Sequence, residues 1–188
     1  METAIRNQLY TLDDYLSWDS DERYELMDGV AYLQAAPSIE HQSIVAEITR
    51  QLSNILKGGK CVAIPAPLDV VIDSDETTVV QPDISVICDM KKVIDGKYYG
   101  APTIVFEVVS PSSSSRDYIK KLIKYRDCGV GEYWIVDYLS KSVTVYSFSN
   151  NELKLFEDGE IVNSEAVQGL YVNFAEVFAE FPWLSGDK

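Results

Sequence analysis

Asp83 and Glu107 stand inside two apolar, β-rich runs, VVQPDISVIC and TIVFEVVS. A lone carboxylate in such a setting is costly to bury unless it is paired, protonated or bound to a cation. Strand alternation groups Asp83 with Ser85 and Ile87, and Glu107 with Val105 and Val109. Two adjacent strands offering both acids to one divalent cation is the chemistry this pattern suggests. The plain alternative for each is an acid at a strand end, in water or bonded to a loop. The chain has one histidine, His41, so HExxH zinc proteases, two-histidine metal triads and most zinc fingers are excluded. A metal site would rely on carboxylate oxygen, which favours Mg²⁺, Mn²⁺ or Ca²⁺ over zinc. His41 follows Ser38, the expected N-cap, in the first turn of a helix. The helix dipole there favours a neutral imidazole that accepts or relays a proton; a capping or packing role is the alternative.

Other chemistries find no support. Ser112 to Ser115 lack a GxSxG context and have only one histidine to serve as base, so they read as a loop and helix cap. There is no Walker A loop and no GxGxxG. Net charge is −14, against bulk electrostatic attraction to nucleic acid. The charge is uneven: residues 13–28 hold seven acids against Arg23 alone. Residues 116–126 carry Arg116, Lys120, Lys121, Lys124 and Arg126 against Asp117. The latter reads as a basic helix, or as an ordinary solvated face.

These side chains need a scaffold. A chain of 188 residues, 46% hydrophobic, suits one domain with a sizeable core. We expect a single domain over 1–188, with a helical lead-in over 1–22 and a helical tail over 170–188. Thr11 and Asp14 form a capping box, and Asp28-Gly29 marks a hairpin turn within RYELMDGVAYLQA. Ile44, Val45, Ile48, Leu52, Ile55 and Leu56 recur at helical spacing until Gly58-Gly59. MKKVIDGKYYGAP reads as a long loop. TIVFEVVS reads as a strand buried on both faces, followed by a helix from Ser115 to Cys128. GEYWIVDY, SVTVYSFS and ELKLFE are strands, and Asn173 caps a last short helix. The aromatic C-terminal part (Tyr171, Phe174, Phe178, Phe181, Trp183) would cover the core edge or form a dimer contact. Cys61, Cys88 and Cys128, odd in number and widely spaced, read as buried free thiols. The N-terminus has no signal-peptide pattern and no run approaches a membrane span, so a cytoplasmic protein is expected.

Taken in order, the Pro-Asp pair on one strand, Glu-x-x on the next and a following helix resemble the PD-(D/E)xK nuclease superfamily. The finer pattern runs YELMDG, Ser-x-x-His opening a helix, QPDISVI, VFEVVSPSS, a helix with Asp117, Lys121 and Tyr125, then GVGEYWIVD. It resembles a bacterial, cyanobacteria-rich family of restriction-endonuclease-like proteins that long carried the label of a domain of unknown function. The likeness spans about Tyr24 to Tyr146. It implies an α/β (α+β) fold, a central mixed sheet flanked by helices. It also implies a Mg²⁺- or Mn²⁺-dependent endonuclease acting on nucleic acid, DNA rather than RNA. Asp83 and Glu107 would hold the metal with the Val108 carbonyl, and Glu25 would complete the site. The superfamily lysine normally lies two residues after the Glu, where this chain has Val109. Lys121 is the replacement, on a helical stripe with Asp117 and Tyr125 that borders Ile119, Leu122 and Ile123. Superfamily members often dimerise to cut two strands, so the resemblance also implies a homodimer. The competing readings are a nuclease fold kept as an inactive binding or regulatory module, and a purely structural or assembly protein.

Overall fold

The computed structural model describes residues 8–72, 76–109, 115–157 and 159–179, with the side chains of 115–117 outside that description. The first described helix is α1 (Leu12–Ser17), its N-terminus held by the Thr11–Asp14 capping box. β1 (Tyr24–Met27) and β2 (Val30–Leu33) form a hairpin whose Asp28 and Gly29 both take positive φ, 51° and 76°. The long α2 (Ile39–Leu56) starts at Ser38, whose hydroxyl accepts the His41 amide. β3 (Val62–Pro65), β4 (Val70–Val71), β5 (Val79–Val80) and β6 (Ile84–Ile87) follow. A 3₁₀ turn then leads into β7 (Val93–Ile94), β8 (Lys97–Tyr99) and β9 (Ile104–Val109). After α3 (Ser115–Cys128) come β10 (Glu132–Asp137), β11 (Ser142–Ser147), β12 (Glu152–Glu157), β13 (Ile161–Asn163) and β14 (Tyr171–Asn173). The last described helix is α4 (Phe174–Ala179), capped by Asn173.

The mixed α/β arrangement is present, built on two six-stranded mixed sheets. One has the order β12-β11-β10-β9-β6-β3, the other β2-β1-β5-β4-β8-β7. In the first, β9 and β10 are parallel and α3 makes the crossover, as a parallel pair requires. One face of that sheet packs on α2 and α4 through Phe106, Trp134, Ile44, Ile48, Leu52 and Phe174. Its other face, with Val105 and Tyr133, meets Tyr125 of α3 and Val70, Val80 and Tyr98 of the second sheet. The candidate site residues lie around this second core. No helix among the described residues is long and apolar enough to cross a membrane.

Several expectations change. VVQPDISVIC is not one strand: β5 belongs to one sheet and β6 to the other, with Gln81-Pro82-Asp83 crossing between them. Pro82 has no N–H to donate to a ladder, so the break falls there. Asp83 therefore stands at the entry to β6 rather than inside a strand. The stretch read as a loop after Cys88 contains the β7–β8 hairpin, turned by Asp95 and Gly96 at positive φ. Cys61 and Cys88 are joined in a disulfide rather than being free thiols; only Cys128 is free. The antiparallel register Val62↔Ile87 sets these two cysteines opposite one another, a relation hidden by 27 residues of separation. The tail begins as a strand, β14, and only then turns helical; Phe174 and Phe178 cover the core while Tyr171 is exposed. The serine run at 112–114, Phe181 and Trp183 lie outside the described residues.

Candidate active site

The register Ile84↔Phe106 between β6 and β9 continues one step to set Asp83 opposite Glu107. The Val108 amide, beside Glu107, donates to Asp83 Oδ2 at 2.7 Å, locking the two strand ends together. The Val108 carbonyl faces the same side of its strand as the amide, toward Asp83. His41, in the first turn of α2, brings Nε2 to 3.1 Å from the same Asp83 oxygen. Both side chains keep partial solvent access, 15% and 18%. The site opens on this side.

Glu107 points inward. Lys121 Nζ lies 3.0 Å from Glu107 Oε1 and 3.0 Å from Glu25 Oε1, bridging the two carboxylates. The Tyr125 hydroxyl, one turn further along α3, donates to Glu107 Oε1 at 2.9 Å. Glu25 Oε1 also accepts the Gln81 amide at 2.8 Å, and Glu25 Oε2 accepts Gln34 Nε2 at 3.4 Å. Lys121 and Tyr125 are buried, so the stripe does reach inward, whereas Ile119 and Ile123 beside it are exposed. Paired acids draw the ammonium inward, and its four-carbon stem fills apolar space on the way. The Asp117 side chain lies outside the described residues.

The electrostatics follow from three acids sharing one lysine and one imidazole. Burial, and then the charges of Asp83 and Glu25, push the Glu107 carboxyl up to about 7 in spite of Lys121. Burial works against the Lys121 ammonium, but Glu107 and Glu25 more than compensate and hold it well above its ordinary range. Tyr125 is raised strongly, by burial and then by Glu107 and Glu25, so its phenol stays a donor. For His41, burial favours the neutral ring, yet the hydrogen bond and charge of Asp83, with Glu107 behind it, raise it overall. The carboxylate in contact thus opposes the helix terminus, which favours the neutral ring.

The raised Glu107 group makes stability depend on pH with a definite sign. Its unfolded value is near 4.5 and its folded value about 7, so between them the folded chain binds the extra proton. The contribution is complete below 4.5 and is lost as pH rises through 7. In metal-free buffer, wild type should lose unfolding free energy relative to Glu107→Gln by up to about 1 kcal/mol per pH unit across that window. Parallel stability–pH curves for the two proteins in urea would contradict this.

The donor set fits a hard divalent cation. Asp83 and Glu107 offer oxygen only, Asp83 Oδ1 and Glu107 Oε2 accept no hydrogen bond among the described residues, and a cation would relieve the surplus negative charge. No group of three or more His, Cys, Asp or Glu side chains among the described residues is disposed to hold a metal. Glu25, expected to complete the shell, joins the cluster through Lys121. The remaining ligands would be the Val108 carbonyl and water. Sequence reasoning brought Asp83, Glu107, Lys121, Glu25 and His41 to one place, but missed Gln81, whose amide fixes Glu25. Its position two residues before Asp83 was the only available signal. A surface cleft of about 470 Å³ bounded by Arg50, Asn54 and Tyr171 is separate. Arg50 lies nine residues beyond His41, about 14 Å along α2.

Comparison with known proteins bears on the family and the fold. The model of the Uma2 family, described as "Putative restriction endonuclease", matches residues 12–175. The "Uncharacterized protein slr1290" of Synechocystis sp. is 28% identical over 137 residues, covering 71% of this chain and 72% of the relative. A crystal structure described as "a putative nuclease belonging to DUF820" from Anabaena variabilis superposes with a TM-score of 0.76. It is 22% identical and the match covers 93% of this chain and 98% of that one, which establishes the shared fold.

Proposed function

The chain belongs to the Uma2 family, and from that premise we propose that it is an endonuclease that hydrolyses phosphodiester bonds of nucleic acid, DNA before RNA, with Mg²⁺ or Mn²⁺. The observation that carries this reading is the convergence of Asp83, Glu107 and Lys121 from β6, β9 and α3. Asp83, Glu107 and the Val108 carbonyl would hold the cation. Bound there, it supplies Lewis-acid polarisation of a phosphoryl oxygen and activation of a water. The other tasks fall to the chain. Lys121, held protonated, is a donor rather than a base and stabilises charge developing on the attacked phosphate or orients the water. Tyr125 fixes the Glu107 carboxyl by its hydroxyl proton. His41 orients Asp83 and is the partly exposed group placed to pass a proton to solvent. Cutting both strands of a duplex calls for two such centres, hence a homodimer, which light scattering would register.

A second reading, the fold kept for binding or regulation without catalysis, is favoured by the net charge of −14, since an acidic surface repels the phosphate backbone. One experiment separates the two. Purified protein is incubated with plasmid, single-stranded DNA and RNA in Mg²⁺ or Mn²⁺, alongside calorimetric titration with Mn²⁺. The nuclease reading expects cleavage that EDTA stops. Absence of both cleavage and Mn²⁺ binding would leave the regulatory reading standing.

A further inference from the structure

We propose that Arg23 and Lys120 bind backbone phosphates of nucleic acid immediately beside the Asp83–Glu107–Lys121 centre; the inference rests on the nuclease reading and names how its substrate is held. On this acidic molecule many cations are neutralised by an acid in contact: Lys124 by Asp28, Arg126 by Asp127, Arg50 by Glu47, Lys154 by Glu165. Arg23 is different. Its Nε and Nη2 both donate to one neutral acceptor, Gln81 Oε1, at 3.0 and 2.8 Å. The amide is itself held, Gln81 Nε2 donating to Asp69 at 2.8 Å, so the guanidinium plane is set without losing its charge. The remaining donors keep the fork geometry that suits phosphate.

Lys120 repeats the arrangement from the other side. Its Nζ donates to the Tyr32 hydroxyl at 3.1 Å and stands 5.3 Å from the centroid of that ring. No acid lies within ion-pair distance of Arg23 or Lys120 among the described residues. Both groups frame Glu25. Arg23 is two residues before Glu25, on the same side of the chain and about 7 Å away by strand geometry. Tyr32 pairs directly with Glu25 across the β1–β2 hairpin. Gln81, which carries Arg23 on its side chain and Glu25 on its amide, is two residues from Asp83. Two cations with neutral partners thus border the centre, on a molecule whose net negative charge otherwise repels phosphate. Lys57, at the C-cap of α2, has neither such a partner nor this location and serves as a control.

The test is anisotropy of a labelled DNA duplex in EDTA, so that no cleavage intervenes, from about 50 to 200 mM salt. Arg23→Gln and Lys120→Gln should each weaken binding about 5- to 10-fold and lower the log–log salt slope by about 0.9, the share of one phosphate. Lys57→Gln should change neither, and Arg23→Lys should restore part of the loss. Lys120 is exposed, so its variant keeps the test open if Arg23→Gln disturbs folding. Wild-type affinity and slope in both Gln variants, or no duplex binding by wild type, would overturn the proposal. Mn²⁺-dependent cleavage is scored in parallel. Cleavage with unaltered binding in the variants defeats only the phosphate assignment, and weakened binding with no cleavage by wild type defeats only the nuclease reading.

Discussion

Lys121→Met should lower the unfolding free energy by about 3–5 kcal/mol, the cost typical of removing one partner from a buried ion pair. The reason is specific to this cluster. Nζ is the cation within 3.0 Å of both Glu25 and Glu107, and Glu25 is 1% exposed. With methionine in place the stem still packs, but two carboxylates face each other in a low-dielectric setting without a counter-ion. At least one must take up a proton, so the deficit should shrink on acidification. Adding Glu25→Gln and Glu107→Gln to Lys121→Met should recover most of the loss, because a neutral cluster has no charge left to desolvate. Urea titrations of wild type, Lys121→Met and the triple variant measure this. A Lys121→Met variant within about 1 kcal/mol of wild type would mean that the lysine is not the electrostatic keystone of the second core.

The second large effect is on chemistry with the fold preserved. Asp83→Asn and Glu107→Gln should each reduce Mn²⁺-dependent cleavage by about 10³-fold or more, and abolish the calorimetric Mn²⁺ signal. Asn at position 83 keeps an oxygen for the Val108 amide and a group for His41, so the strand ends stay joined. What disappears is the charge that a hard cation requires. Gln at position 107 is milder still for stability, since the wild-type carboxyl already holds its proton up to about 7. The diagnostic is therefore a dissociation: at neutral pH Asp83→Asn unfolds near wild type and Glu107→Gln is no less stable than wild type, with cleavage lost in both. Cleavage within tenfold of wild type in either variant would remove these acids from the mechanism.

Part of this site was legible beforehand from local signals, and Lys121 and Glu25 came from the resemblance to the nuclease family. An acid in an apolar strand, Glu107, is anomalous on energetic grounds alone, and a lysine four residues before a tyrosine shares a helical stripe with it. A buried acid is not by itself diagnostic of function, however. Glu132, 1% exposed, was not singled out, and it anchors a loop by accepting the Glu165 and Ala166 amides, Ser164 Oγ and Trp134 Nε1. Composition cannot distinguish a carboxylate saturated by backbone donors from one that faces a partner acid. Only the neighbours do. In the same way, Ile119 and Ile123, read as part of the apolar face of α3, are exposed, and the helix turns its lysine inward in their place. Pairing with two acids from β1 and β9, 96 and 14 residues distant in the chain, set that rotation.

Periodicity and turn chemistry in the chain alone determined the elements: the capped α2, the Asp28-Gly29 hairpin, the buried β9 and the helix after it. They also determined which residue types were available for catalysis, above all the shortage of imidazole. Tertiary structure alone decided that Pro82 would divide one apolar run between two sheets, that Cys61 would meet Cys88, and that Glu25 would reach Glu107 through Lys121. It likewise decided that Arg23 would be held by an amide rather than a carboxylate. The physical reason is range. Backbone preference and side-chain alternation act over a few residues, while charge compensation depends on which strands become neighbours.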